Sequence, residues 1–66
     1  MSNAPFEPGD TVTYRFDRFP VVYTVASCDP DTDSLGRERW RVSAVADHNG
    51  RSMSIDALAE HFEEHP

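Results

Sequence analysis

The chain has 66 residues, of which 12 are acidic and 6 are basic, and its formal net charge at pH 7 is -6. A negative field of this size repels phosphates and anionic lipids, so we expect neither direct nucleic-acid binding nor membrane binding. The length allows one domain with a thin core and leaves no room for a deep catalytic cleft. The single cysteine and the lack of a secretion signal or a membrane-spanning apolar stretch predict a cytoplasmic protein.

The N-terminal half contains two stretches of alternating apolar residues, which are typical of half-buried strands. Residues 1–5 precede them and are predicted to form a flexible leader, so that residues 6–66 make up a single β domain. The first strand is predicted over residues 11–16, with an inward face of Val12, Tyr14 and Phe16. The second is predicted over residues 21–26, with an inward face of Val21, Tyr23 and Val25.

An acidic segment separates these strands from the clearest alternating pattern in the chain. Residues 28–36 are rich in Asp, Pro, Ser and Gly, a composition that predicts an exposed acidic loop. A third strand is predicted over residues 38–45, with an inward face of Trp40, Val42 and Ala44. The dipeptide Asn49-Gly50 then predicts a type I′ hairpin, because both residues accept a positive φ, and a short fourth strand over residues 51–53.

The apolar spacing changes from Ser54 onward. The positions i, i+3, i+4 and i+7 predict a short helix over about residues 54–63, with an apolar stripe of Ile55, Leu58, Ala59 and Phe62. Ser54 is a candidate N-cap for this helix. Four strands and one terminal helix predict a mainly β fold, either an SH3-like small barrel or a bent four-stranded antiparallel sheet capped by the helix.

Residues 6–60 contain a Pro-Gly-Asp-x-Val opening, a strand after a proline, an Arg-Trp pair, a hairpin glycine and a late leucine. The positions concerned are Gly9, Asp10, Val12, Pro20, Val25, Arg39, Trp40, Gly50 and Leu58. In these positions the chain resembles the YodC-like family of small bacterial barrel proteins. The acidic segment 29–36 and the acidic C-terminal segment depart from the family's pattern. Because the function of this family is unassigned, the resemblance implies a fold and no activity.

The acidic residues are the strongest functional signal in the sequence. One group lies in the predicted loop, and a second lies near the C-terminus, where no arginine or lysine follows Arg51. We expect their carboxylates to contact a basic surface of a partner protein, and the candidate contact residues are Asp29, Asp31, Asp33, Glu60, Glu63 and Glu64. The chain is therefore predicted to be a non-enzymatic protein-binding module, with Trp40 and Tyr14 in its core.

A second hypothesis gives the same acids a more specific role. Carboxylates on a small rigid scaffold can imitate phosphates and occupy the groove of a nucleic-acid-binding protein. In size and charge the chain resembles small acidic inhibitors encoded by phages, including several anti-CRISPR proteins. Two simpler alternatives remain: the acidity serves solubility alone, or the acids pair within the chain with Arg37, Arg39, Arg41 and Arg51.

A histidine pair near the C-terminus offers a minor metal-binding alternative. His61 and His65 are four residues apart, a spacing that on a helix can place two imidazoles on one metal ion. Glu60, Glu64 or His48 could supply a third ligand. The sequence does not fix that third ligand, so exposed histidines near a chain end are the simpler interpretation.

The alternating aspartates and the single cysteine offer two further candidate sites, for calcium and for catalysis. The alternating aspartates have the spacing of the first three calcium ligands, but Ser34 stands at the glycine position and Trp40 at the position of the final glutamate. Cys28 has no accompanying pattern for a base and oxyanion donors. We therefore predict no catalytic residues, no metal site and no cofactor.

Overall fold

The computed structural model of the chain describes residues 4–19 and 21–65. Its strands are β1 (Thr11–Tyr14), β2 (Val22–Thr32), β3 (Glu38–His48), β4 (Arg51–Leu58) and β5 (Phe62–Glu64), with a 3₁₀ turn at Ala59–His61. In these described ranges the strands form one open antiparallel sheet with the order β4-β3-β2-β1-β5. The predicted mainly β fold is confirmed. Residues 1–3 of the predicted leader, Pro20 and Pro66 lie outside the described residues.

One face of the sheet carries the hydrophobic core. Most side chains that the alternating pattern places inward are buried, namely Val12, Tyr23, Val25, Val42 and Ala44. Ala46 and Phe62 complete the buried cluster. Tyr14 and Val21 pack against this cluster from partly buried positions. Trp40, which the sequence places in the core, is only half-buried.

Phe16 does not face the core, contrary to its predicted place in the first strand. β1 ends at Tyr14 because the chain turns there, and the N–H of Asp17 donates to the carbonyl oxygen of Tyr14 at 3.2 Å. The Phe16 side chain is 68% exposed, and its ring lies 5.5 Å from that of Tyr14 and 5.1 Å from that of His61, centre to centre. The turn leaves β1 with four residues, which pair with β2 on one side and β5 on the other.

The hairpin between β3 and β4 has the predicted turn. Asn49 has a φ of 53° and Gly50 a φ of 75°, as a type I′ turn requires. From this turn the pairing continues without interruption from His48 opposite Arg51 to Arg41 opposite Leu58. The predicted fourth strand is therefore present and is much longer than expected.

The predicted helix over residues 54–63 is wrong. β4 continues to Leu58, and only the 3₁₀ turn at Ala59–His61 separates it from β5. The apolar residues also fit a two-residue period, because Ile55 and Ala57 pack inward from β4. A helix here would leave most of one edge of β3 without backbone partners, and strand pairing outweighs helix propensity.

No helix in the described ranges is long and apolar enough to cross a membrane.

The predicted acidic loop over residues 28–36 is largely strand. β2 continues to Thr32, so the turn occupies only residues 33–37. The composition misled because Asp and Pro are depleted in strands on average. Here Pro30 lies beyond the stretch of β2 that pairs with β1, so its missing N–H interrupts no ladder on that side.

Candidate binding surface

β2 and β3 extend beyond the other strands as a two-stranded arm, which we define as residues 29–41. The pairing of β4 with β3 ends at Arg41, and the pairing of β1 with β2 ends at Thr24. The arm therefore has open edges on both sides over most of its length. Three of the six predicted contact residues, Asp29, Asp31 and Asp33, lie on it.

A β-bulge at Ala26 determines which way the side chains of the arm point. The register steps from Val25 to Ser27 while β3 advances by one residue, so Ala26 has no partner in the ladder. Because side chains alternate between the two faces, the extra residue reverses the alternation beyond it. Asp29 and Asp31 consequently lie on the outer face of the sheet, away from the core.

Arginines of β3 lie opposite these aspartates. Asp29 pairs in register with Arg41, and Asp31 pairs with Arg39. Arg41 Nε donates diagonally to Asp31 Oδ2 at 3.3 Å. Asp29 belongs to no ion pair in the described residues. The outer face of the arm thus alternates in charge instead of presenting a continuous row of carboxylates.

Asp33 organises the turn at the tip of the arm. Its Oδ1 accepts the backbone N–H groups of Leu35 and Arg37, each at 2.9 Å. Its Oδ2 accepts Nε of Arg37 at 3.0 Å and Nε of Arg39 at 3.3 Å. These donors, first the N–H of Arg37, hold the pKa of Asp33 below its ordinary value of 3.8 against the opposing effect of burial. Both oxygens of its carboxylate are therefore occupied by donors that belong to the turn and to Arg39.

Arg39 also connects the arm to the 3₁₀ turn. Its Nη1 donates to Glu60 Oε2 at 3.1 Å, so one guanidinium bridges Asp33 and Glu60. The backbone carbonyl of Glu60 in turn accepts Nη1 of Arg15 at 3.2 Å. Pairing within the chain is confirmed for Arg39, Arg37 and Arg41. Arg51, the fourth arginine of that alternative, has no ion pair in the described residues.

The last two predicted contact residues lie elsewhere, on β5. Glu63 is opposite Thr13, and Arg15 Nε lies 3.6 Å from Glu63 Oε1. Glu64 is opposite Val12 and belongs to no ion pair in the described part of the chain. Arg39 thus links Asp33 to Glu60, whereas Asp31 and Glu63 are each paired with a different arginine. Asp29 and Glu64 are the members of the predicted set that have no ion pair in the described residues.

A groove of about 330 Å³ lies where the arm meets the 3₁₀ turn and the N-terminal segment. Its apolar lining consists of Pro5, Phe6, Trp40, Leu58 and Ala59, and its charged lining consists of Glu38, Arg39 and Glu60. Glu38 and Trp40 are two residues apart on β3, so their side chains share a face of the strand. The groove is therefore an apolar depression with a mixed, acidic rim.

Sequence reasoning missed three residues of this groove, and the first of them, Pro5, was assigned to the flexible leader. Phe6 lies outside any strand, and its apolar character was the one available signal. Glu38 was assigned to the third strand and given no role, although its alternation with Trp40 placed both side chains on one face. That the face remains half-exposed at Trp40 depends on where β1 and β4 end, which the sequence did not indicate.

The histidine pair and Cys28, the minor candidates for metal binding and catalysis, lie on different elements. His61 lies in the 3₁₀ turn and His65 follows β5, with its N–H donating to the carbonyl oxygen of Thr11 at 2.9 Å. The helix that would align the two imidazoles is absent from this part of the described chain. Cys28 is a half-buried free thiol on β2. No group of three His, Cys, Asp or Glu side chains within the described residues is arranged to hold a metal ion.

Comparison with known proteins gives no relative. No family model, no curated protein and no solved structure matches the chain. The resemblance to the YodC-like family and the likeness to phage inhibitors therefore stay predictions.

Proposed function

We propose that the chain is a protein-binding module that docks on a basic surface of a partner protein and catalyses no reaction itself. The observation that supports this most is the distribution of charges that have no partner. In the described residues, only Arg18 and Arg51 among the arginines lack an ion pair, whereas the exposed carboxylates outside any ion pair are Glu7, Asp29, Glu38, Asp47, Asp56 and Glu64. The excess negative charge is thus carried by carboxylates that remain open to a cation.

The six predicted contact residues are not expected to contribute equally to partner binding. A carboxylate that already holds an arginine gains less from a partner's cation, because one interaction replaces another. Asp29 and Glu64 are therefore the strongest contacts among the predicted six. Asp31, Asp33, Glu60 and Glu63 act mainly in shaping the arm and the turn, and they contribute to the long-range field that steers a basic partner.

The connection between the sheet edges supports the SH3-like barrel as the finer description of the fold. β4 and β5 are the two edge strands, yet only the three residues of the 3₁₀ turn connect them. In a flat five-stranded sheet the edges would be about 19 Å apart. The chain from Leu58 to Phe62 spans at most about 14 Å even when fully extended. We therefore propose a sheet curled far enough to bring its edges close together, as in a small barrel.

The docking proposal is tested by measuring how single acids affect partner affinity. The immobilised chain captures proteins from a lysate of the source cells, and each captured protein is purified and titrated against the variants. Asp29→Arg and Glu64→Arg are expected to weaken binding about tenfold or more, because a favourable charge becomes a repulsive one. The affinity of the wild-type chain should also fall as salt is added.

A matched control is available on β5. Glu64→Gln and Glu63→Gln change the net charge equally, but only Glu63 is paired with an arginine. We expect the larger loss of affinity from Glu64→Gln. Partner binding that is indifferent to salt, to Asp29→Arg and to Glu64→Arg would exclude the acidic docking surface.

The same experiment distinguishes nucleic-acid mimicry from docking on a basic surface of another kind. The arginine partners of Asp31 and Asp33 interrupt the row of carboxylates that mimicry requires, so no observation favours this alternative over the first. Excess duplex DNA should leave the complex intact if the docking site is not the partner's nucleic-acid-binding site. Displacement by DNA, in proportion to its affinity for the partner, would identify the chain as a mimic.

A further inference from the structure

We infer that the groove beside Trp40 binds an arginine side chain of the partner. The inference rests on the proposed function, because it assigns the groove a cationic group of a basic partner protein. Its support comes from the lining, the charges and the fixed position of the groove walls.

The apolar lining matches the chemistry of an arginine side chain. Trp40 and Phe6 supply aromatic surface, and Leu58 supplies aliphatic surface. A guanidinium is planar and weakly hydrated, so it packs on aromatic rings at lower desolvation cost than an ammonium. The methylene stem of the same side chain can cover the remaining apolar surface. A volume of about 330 Å³ has room for such a side chain.

The charges that line the groove are complementary to an entering guanidinium. Glu38 and Glu60 are acidic and Arg39 is basic, which leaves a local net charge of -1 among the lining residues. Arg39 is already engaged with Asp33 and Glu60. Glu38 is exposed and belongs to no ion pair in the described residues. An incoming guanidinium can therefore pair with Glu38, as arginine does with carboxylates in two parallel hydrogen bonds, without breaking an existing ion pair.

The groove walls are held in place before a ligand arrives. Trp40 and Glu38 belong to β3, which has β2 as a neighbour along this stretch. The opposite wall, the 3₁₀ turn, is tied to β3 through Arg39 and Glu60 at 3.1 Å. Preformed walls reduce the ordering cost of binding. The site is thus a fixed receptor for one side chain within a larger, charge-steered contact.

The inference is tested with peptides and the fluorescence of Trp40, the one tryptophan in the chain. Three blocked pentapeptides differ only in their central residue, which is arginine, lysine or citrulline. The arginine peptide should change Trp40 emission saturably, with a Kd on the order of 1 mM, because a single side chain offers few contacts. The uncharged citrulline peptide should give no saturable change, and the lysine peptide should bind at least about threefold more weakly.

A charge-matched pair of variants locates the binding site. Glu38→Gln is expected to weaken the arginine peptide about tenfold, because it removes a charged acceptor. Glu7→Gln causes the same change in net charge outside the groove and should leave the Kd unchanged. Both residues are exposed, and far-UV circular dichroism confirms that each variant is folded. Equal affinity for citrulline or lysine, an unchanged Kd in Glu38→Gln, or no saturable signal with arginine would overturn the inference.

Failure of the groove and failure of the docking proposal give different results. If Asp29→Arg weakens partner binding while the arginine peptide does not bind, the groove assignment is wrong and the acidic module stands. If the arginine peptide binds through Glu38 while partner affinity ignores Asp29→Arg and Glu64→Arg, the acidic docking surface is wrong and the groove stands.

Discussion

The two halves of the β2–β3 ladder differ sharply in what holds them together. In the half nearest the other strands, the paired residues include Val25 and Ala44, which are 2% and 0% exposed. In the arm, the outer face pairs Asp31 with Arg39 and places Arg41 within 3.3 Å of Asp31, with both partners of that ion pair about half exposed. One continuous ladder therefore passes from hydrophobic burial to surface ion pairing.

The difference predicts a division of labour within one hairpin. Burying a valine side chain contributes about 1.5–3 kcal/mol, whereas an exposed ion pair contributes about 0–1 kcal/mol and is screened by salt. The buried half maintains the fold, whereas the exposed ion pairs on the outer face of the arm can be rearranged by other charges while the backbone pairing of the arm stays intact.

The largest effect is expected from truncation in the buried half. Val42→Ala removes two methyl groups from a side chain that is 0% exposed and should lower the free energy of unfolding by about 2–3 kcal/mol. For a domain of this size that is a large share of the total stability. Urea unfolding followed by circular dichroism measures the change.

Val45→Ala is the matched control on the same strand. Val45 is 46% exposed on the opposite face, so the same truncation should cost less than about 0.5 kcal/mol. If the two variants lost similar stability, the outer face would be as important to the fold as the inner face, and burial of the inner face would not be what holds this half together.

The buried half is also the part of the fold that the sequence predicted well. Alternation in β3 identified Val42 and Ala44 correctly, and Asn49-Gly50 identified the hairpin, because both signals are local. The strand after the hairpin was misread as a helix beyond residue 53. Ile55 satisfies both a helical and a strand period, and the choice between them depends on the unpaired edge of β3, which is a long-range property.

The candidate site was predicted less well, for related reasons. The acids of the arm were identified by composition, and so was the possibility that nearby arginines pair with them. The bulge at Ala26, which turns Asp29 and Asp31 outward, leaves no mark in the alternating pattern. The Glu38–Trp40 side of the groove depends on where neighbouring strands end, and a single sequence gives no register from which those ends could be inferred.

A smaller effect is expected at the tip of the arm. Asp33→Asn removes the charged acceptor of two backbone N–H groups and two guanidinium groups, so it should destabilise the protein at neutral pH, though less than Val42→Ala does. The lowered pKa of Asp33 means that its contribution is present above the ordinary value of 3.8 and is lost as pH falls through the folded-state pKa. The stability gap between wild type and variant should therefore shrink in acid.

Equilibrium urea unfolding at a series of pH values between neutrality and about pH 2 measures this gap. Asp29→Asn is the matched control, because Asp29 lies on the same arm, in β2, and belongs to no ion pair in the described residues. It should leave stability nearly unchanged at neutral pH. A gap for Asp33→Asn that stays constant, or grows, as the pH falls would contradict the role of its carboxylate in the turn.

The smallest effect is expected from the ion pair on the outer face of the arm. A double-mutant cycle with Arg41→Gln and Asp31→Asn should give a coupling energy below about 0.5 kcal/mol, because the two side chains are 53% and 46% exposed. Asp31→Asn retains an oxygen for the N–H of Thr32, so the cycle isolates the charge interaction. The coupling should decrease further as salt is added. A coupling above about 1.5 kcal/mol that persisted in high salt would exceed what a surface pair provides. The ion pair would then hold the arm rigidly, and other charges could not displace it without a large loss of stability.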